Sequence, residues 1–316
     1  MRIAILGVGS LGGVVVGSLA DSDAELVCVS RGRTAELLES GLTLFTPEGT
    51  VEMIPGERYQ LVDSEEGPLK NDLIDSCEVA IIVGKSGSTS SLSSIAEEML
   101  SKNGVALSIQ NGLGNAGIVA SRIGWDRVLA GSTTHSAFRD SDGGVHWTGR
   151  GSIILGNMNG NNPGEISSEF ISMLENCGLN PQWSVEIERE IWKKLMLNAA
   201  INPICSITGI KNGALAEIPD LWNMALETMR EVEAVAESSG IDLTEVDNEE
   251  LLREVIASTA DNRVSMLQDL MAGRKTEIDE ICGVVVSKGE ELGIPTPRNK
   301  ILHALIMGIE MSRFFD

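Results

Sequence analysis

The sequence predicts an α/β domain followed by an all-helical domain, and three observations carry that prediction. Apolar runs of strand length, RIAIL (2–6), ELVCV (25–29), VAIIV (79–83) and VALSI (105–109), are spaced by segments able to hold crossover helices, as in a buried parallel sheet. A glycine-rich turn follows the first run directly. From about residue 186 the pattern turns helical. The expected domains are therefore 1–185 and 186–316.

Between the second and third runs, LTLFTPEGTVEM (42–53) reads as a hairpin turning at Pro47–Gly49. VHWTG and GSIILG (145–156) read as additional, antiparallel strands. In the helical part, AEIPDLWNMALETMREVEAVAESSG has one acidic and one apolar face and stops at Gly240. EELLREVIAST and TEIDEICGVVVSKGEELG continue the pattern, and no repeat, low-complexity tract or long linker interrupts it.

Composition narrows the function. With 316 residues the chain has room for two ordinary cores, and with 3% aromatic residues those cores must be aliphatic. A net charge of -22 argues against nucleic acid or an anionic membrane as partner, since both require clustered positive charge. An anionic substrate would have to be met by local cations. The five cysteines are scattered and form no C-x-x-C pair, which suits reduced thiols in the cytoplasm. No secretory leader pattern opens the chain, and no 18-residue window is continuously apolar. The three histidines lack metal-ligand spacing, so no metal is expected.

ILGVGSLGG (5–13) places Gly7, Gly9 and Gly12 as G-x-G-x-x-G straight after a strand and before a segment able to form a helix. The first glycine permits the tight turn, the second lets backbone approach a diphosphate, and the third lets helix pack on strand. Amides at the helix start would then face the phosphates. The alternative is a tight strand–helix turn with no ligand. After the second strand, where an acidic residue would select NAD, the sequence reads CVSRGR. A guanidinium there can fork onto a 2′-phosphate, so Arg31 favours NADP, whereas Arg33 is expected to be a solvated loop residue. Lys85 and Asn111 follow the next two strands, where doubly wound sheets bind their ligands, although either alone can equally face solvent.

IWKKLMLNAAINPI (191–204) is an apolar helix carrying Lys194, Asn198 and Asn202 at i, i+4 and i+8, on one line. Pro203 removes a donor and frees a carbonyl one turn back, which should bend the helix. Such a line could meet a substrate across a cleft, or Lys194 could reach solvent while the asparagines cap the helix end. Downstream, Asn262 and Ser265 are expected as i, i+3 neighbours on one helix. Thr276 and Asp279 suggest a capping box, with Glu277 opening the helix it caps.

Taken together these segments resemble the ketopantoate reductase (2-dehydropantoate 2-reductase) family. The resemblance spans nearly the whole chain: the glycine motif, the lysine after strand 79–83, QNG (110–112), TTHSAFRD (133–140), WKKLMLNAAINPI (192–204), SMLQDL (265–270) and TEID (276–279). It implies a Rossmann domain joined to a helical domain like that of 6-phosphogluconate dehydrogenase, and NADPH-dependent reduction of ketopantoate to pantoate on the route to pantothenate and coenzyme A. By the same resemblance Lys194 matches the proton donor and Glu277 a carboxylate near it. Asn198, Asn202, Asn212 and Ser265 match substrate positions, with Asn262 beside them. Gly7, Val8, Gly9, Ser10, Leu11, Gly12, Arg31, Lys85, Asn111 and Ala137 match cofactor positions. Ser136 and Cys282 depart from the family pattern, where glycine or alanine and an asparagine respectively are usual; this bears on substrate preference rather than on the hydride chemistry. The implied partner is a small 2-keto acid, and a homodimer is an allowed assembly. The competing functions are reduction of another 2-keto or hydroxy acid and a non-catalytic NADP-binding sensor.

Overall fold

The computed structural model describes residues 1–312, which group into two compact units. One comprises residues 1–110 and 114–187, and the other residues 111–113 together with 188 onward. The Asn111–Leu113 segment, at the end of a strand of the first unit, thus belongs with the helical unit.

The first unit contains strands β1 (Arg2–Leu6), β2 (Glu25–Ser30), β3 (Leu42–Phe45), β4 (Val51–Ile54), β5 (Tyr59–Asp63), β6 (Cys77–Ile82), β7 (Leu100–Ser108), β8 (Val128–Thr133), β9 (Ser136–Arg139), β10 (Val145–Gly149), β11 (Ile153–Asn157) and β12 (Pro181–Trp183). Its helices are α1 (Ser10–Leu19), α2 (Gly32–Glu39), α3 (Thr89–Met99), α4 (Asn115–Ile123) and α5 (Glu165–Asn176). Eight strands form the main sheet in the order β12-β11-β8-β7-β6-β1-β2-β5. From β5 to β8 it is parallel, and β11 adds antiparallel to β8.

The apolar runs are continuous because both faces of this sheet are covered. Ile3 and Ile5 of β1 point into a core shared with α1 and α5, while Ala4 and Leu6 point the opposite way, into one shared with α3 and α4. The second sheet, β4-β3-β10-β9, packs on α1. Close packing there explains why α1 contains glycine: a Cβ on Gly13 or Gly17 would come 2.6 Å from Val145 or 2.5 Å from Leu44.

The hairpin over residues 42–53 is present as β3–β4. The antiparallel expectation for residues 145–156 needs correction. β10 is antiparallel to β9 but parallel to β3, and β11, in the other sheet, is antiparallel to β8 but parallel to β12. Pairing of distant segments, invisible to local pattern, decides these directions.

The second unit is helical: α6 (Ile187–Thr208), α7 (Asn212–Glu217), α8 (Pro219–Ser238), α9 (Asn248–Ser258), α10 (Ser265–Met271), α11 (Val284–Leu292) and α12 (Pro297–Ser312). Its core collects Trp192, Met196, Ala199 and Ala200 of α6 with Met229 and Val232 of α8 and Leu302 and Ile306 of α12. Proline opens α8 at a position where its missing amide has no acceptor to lose. Pro203 instead lies inside α6, which continues through it to Thr208. Ala199 is the residue whose carbonyl Pro203 cannot bond. The thiol of Cys282 donates to that carbonyl at 3.8 Å. No described helix is long and apolar enough to cross a membrane.

Candidate active site

In the first unit the glycine motif forms the turn between β1 and α1. Gly7 has φ +92°, and a Cβ there would collide with the Cα of Gly84, so only glycine fits. Gly12 is close to the Gly7 carbonyl, where a Cβ would lie at 2.8 Å. Gly9 differs from both. It is exposed, and its nearest neighbour to a hypothetical Cβ is the Gly7 oxygen, 4.0 Å away. Packing therefore requires Gly7 and Gly12, whereas no packing contact among the described residues requires Gly9. Gly9 is also the N-cap of α1, with no side-chain cap and no acidic residue in the first turn. Amides starting a helix without such a partner suit an anionic diphosphate. Val8 is fully buried, and Ser10 and Leu11 are half-buried at the helix start.

The remaining first-unit candidates surround strand ends. Arg31 is exposed and caps α2 from an extended backbone, immediately after β2. Arg33 is exposed as well, but it lies within α2 and donates to the Ser141 carbonyl at 2.8 Å rather than standing in a solvated loop. Ala137 is half-buried on β9, opposite Trp147 of β10. Lys85 is exposed after β6.

A buried polar network underlies the Lys85 turn, and sequence reasoning missed it. Gln110 donates to the Gly84 carbonyl at 2.8 Å and to Thr89 at 2.9 Å, while accepting from Ser108 at 3.1 Å. Thr89 lies 2.8 Å from Asn115 Oδ1, and Asn115 donates to Ser86 at 3.2 Å. Networks of this kind fix the loops they bridge, because breaking one bond strands a buried partner.

In the second unit three predicted residues converge. Asn111 Nδ2 donates to Glu277 Oε2 at 3.0 Å. Gly112, with φ +86°, makes the approach possible: a Cβ would lie 2.5 Å from the Glu280 carbonyl, which also accepts from the Leu113 amide at 3.1 Å. Lys194 is half-buried on α6. Burial pushes its ammonium down to about 8, and the Glu277 carboxylate acts in the opposite direction, holding it up.

Asn198 is half-buried and Asn202 is 8% exposed on the same line of α6. Neither side chain has a hydrogen-bonded partner among the described residues. Asn212 donates to Thr259 Oγ1 at 3.0 Å, its backbone amide donates to the Asn262 carbonyl at 3.1 Å, and its buried Oδ1 has no partner among the described residues.

Two sequence expectations need correction here. Asn262 and Ser265 do not share a helix: Asn262 is in the turn before α10, and Ser265 is its first residue. The bonds between Asn212 and Asn262 and between the Gly213 amide and Ala260 draw the chain into that turn. Both residues are exposed, and the Ser265 side chain is joined to none of the other candidates. The capping box also fails. Glu310 accepts from the Thr276 amide at 2.7 Å, and Asp279 instead binds His303 at 2.8 Å and Lys275 at 3.1 Å. Glu277 sits in a bend, and a π-helical turn, Asp279–Gly283, leads into α11. Such turns recur at functional sites. No cluster of three or more His, Cys, Asp or Glu residues able to hold a metal occurs among the described residues.

Comparison with known proteins identifies the family of the chain. The family model described as "Ketopantoate reductase PanE/ApbA" matches residues 3–160, and its C-terminal counterpart matches residues 186–310. The 2-dehydropantoate 2-reductase of Archaeoglobus fulgidus is 33% identical over 310 residues, covering 98% of each chain. The crystal structure of a PanE/ApbA family ketopantoate reductase from Ralstonia eutropha superposes with a TM-score of 0.86 at 27% identity, covering 99% of each chain. A D-mandelate dehydrogenase solved with NADH and anilino(oxo)acetate gives a TM-score of 0.87 over 99% of each chain, and at 24% identity that likeness is one of fold. The chain belongs to the ketopantoate reductase family of oxidoreductases.

Proposed function

We propose that this chain reduces ketopantoate to pantoate with NADPH, in the supply of pantothenate and coenzyme A, with Lys194 as proton donor. The observation that carries the reading is the Lys194–Glu277–Asn111 group. It sets a lysine with a lowered pKa beside a carboxylate that is itself held in place. The names of the relatives supply the substrate, and the glycine loop fits a dinucleotide because its helix start has no cap and its middle glycine faces open space.

When bound, the nicotinamide supplies the hydride that reduces the keto carbon. As negative charge grows on the keto oxygen, the Lys194 ammonium gives that oxygen a proton. A donor titrating at about 8 is mostly charged at pH 7 yet releases its proton far more readily than an ordinary lysine. General acid catalysis of this kind contributes roughly 10²–10⁴-fold in rate. Glu277 keeps the ammonium charged, and Asn111 holds Glu277 in place. Asn198 and Asn202, with side-chain amides unengaged among the described residues, hydrogen-bond the substrate. Asn212, Asn262 and Ser265 complete the substrate contacts. The glycine loop, Lys85 and Ala137 hold the dinucleotide, and Arg31 selects the 2′-phosphate that distinguishes NADPH from NADH.

A second reading, reduction of another 2-keto acid, is favoured by the D-mandelate dehydrogenase fold likeness. Steady-state kinetics decide. NADPH oxidation with ketopantoate should exceed that with NADH, and with an aryl 2-keto acid, in kcat/KM. A higher kcat/KM for the aryl acid would transfer the assignment to the second reading. Binding of NADPH without turnover on any 2-keto acid would reduce the protein to a sensor.

A further inference from the structure

Arg139 on β9 carries no signal of function in its local sequence, yet its side chain grips the glycine loop. Its Nη2 donates to the carbonyls of Val8 at 3.0 Å and Gly9 at 3.3 Å, and its Nη1 donates to the Gly143 carbonyl at 3.1 Å. Its Nε is buried without a hydrogen-bond partner. Among the described residues every bond the guanidinium makes thus goes to a neutral backbone oxygen. The adjacent carboxylate, Asp140, is occupied elsewhere. It lies 2.7 Å from His146 Nε2 and accepts from the Asp142 and Gly144 amides at 3.0 and 2.8 Å. A largely buried guanidinium with no carboxylate in contact is costly, and a bound anion is the ordinary remedy.

We propose that Arg139 is a cofactor-positioning residue, bracing the Val8–Gly9 turn and supplying the counter-charge for the diphosphate of a dinucleotide bound there. The inference rests on the dinucleotide reading of the glycine loop. By holding the loop through its carbonyls, Arg139 leaves the amides at the start of α1 for the ligand. The β9–β10 hairpin that presents Arg139 is in turn fastened by the Arg33 bond to the Ser141 carbonyl. That bond joins the hairpin to the helix following Arg31.

The test is fluorescence titration of NADPH and of 2′-AMP, which lacks a diphosphate, against the wild type and R139M. R139Q repeats the measurement if R139M does not fold. The expected result is at least a tenfold rise in the NADPH dissociation constant with 2′-AMP binding unchanged within twofold, and a weaker dependence of NADPH affinity on ionic strength. NADPH binding within twofold of wild type would overturn the proposal. So would an equal loss for both ligands, which would mark a collapse of the nucleotide surface. Failure of the wild type to bind NADPH would instead overturn the dinucleotide reading.

Discussion

The side-chain amide of Asn111 donates a 3.0 Å hydrogen bond to the carboxylate of Glu277, across 166 positions of sequence. Gly112 makes the contact possible by bringing the backbone against Glu280, and Glu277 in turn acts on the Lys194 ammonium. The QNG motif therefore sets the carboxylate that acts on the proposed proton donor. A hydrogen bond to a charged group contributes about 1.5–3 kcal/mol. N111A should accordingly lower kcat/KM for ketopantoate at least tenfold with the melting temperature little changed. Wild-type kinetics in N111A would remove Asn111 from the catalytic group.

Lys194 titrating at about 8 predicts the pH dependence of turnover. With the protonated form as the proposed donor, kcat should be level below pH 8 and fall tenfold per unit above it. Glu277 holds that pKa up against burial, so its removal moves the limb downward. E277Q should therefore lose activity at a lower pH than the wild type, in addition to any loss at the optimum. A basic limb that stays in place in E277Q would mean that Lys194 is not the titrating donor.

The local arrangement of the candidate residues in each unit was legible in the sequence where its signals are local. Gly7, Gly9 and Gly12 announce their turn by spacing, and Lys194, Asn198 and Asn202 share a line because a helix repeats every 3.6 residues. What stayed hidden depends on contacts between distant segments. Arg139 reads as an ordinary strand residue until β9 brings it to the Val8 and Gly9 carbonyls. Asn262 and Ser265 have helical spacing, but the Asn212 amide bonds the Asn262 carbonyl in the turn before the helix begins. Thr276 has the right partner three residues on for a capping box, yet Glu310 takes its amide. Pro203 showed that a carbonyl would be freed, and only the structure shows that the Cys282 thiol donates to it.

The same ammonium should carry a stability cost. Its folded pKa lies below the unfolded value of 10.5, so the unfolded chain binds more protons between pH 8 and 10.5. Wild-type stability from this group therefore rises with pH across that window and is at its lowest below it. The shift corresponds to up to about 3 kcal/mol at pH 7, less whatever Glu277 loses with its partner. K194M should unfold at higher denaturant than the wild type at pH 7 while losing nearly all turnover, and the stability difference should shrink toward pH 10. A destabilised K194M at pH 7 would show that the Glu277 interaction outweighs the desolvation of the ammonium.

The glycine loop separates packing from function within a single motif. At Gly7 a methyl group would strike Gly84 and the backbone would be held at φ +92°, so G7A should cost well over 2 kcal/mol and deplete the folded protein. At Gly9 the φ is -80° and the space around a Cβ is open to 4.0 Å, so G9A should fold with a loss below about 1 kcal/mol. If the open face receives a diphosphate, that methyl group occupies the ligand's approach. G9A should then melt close to the wild type without ligand and show little of the thermal upshift that saturating NADPH gives the wild type. A normal NADPH-induced upshift in G9A would mean that the dinucleotide does not approach the loop at this glycine.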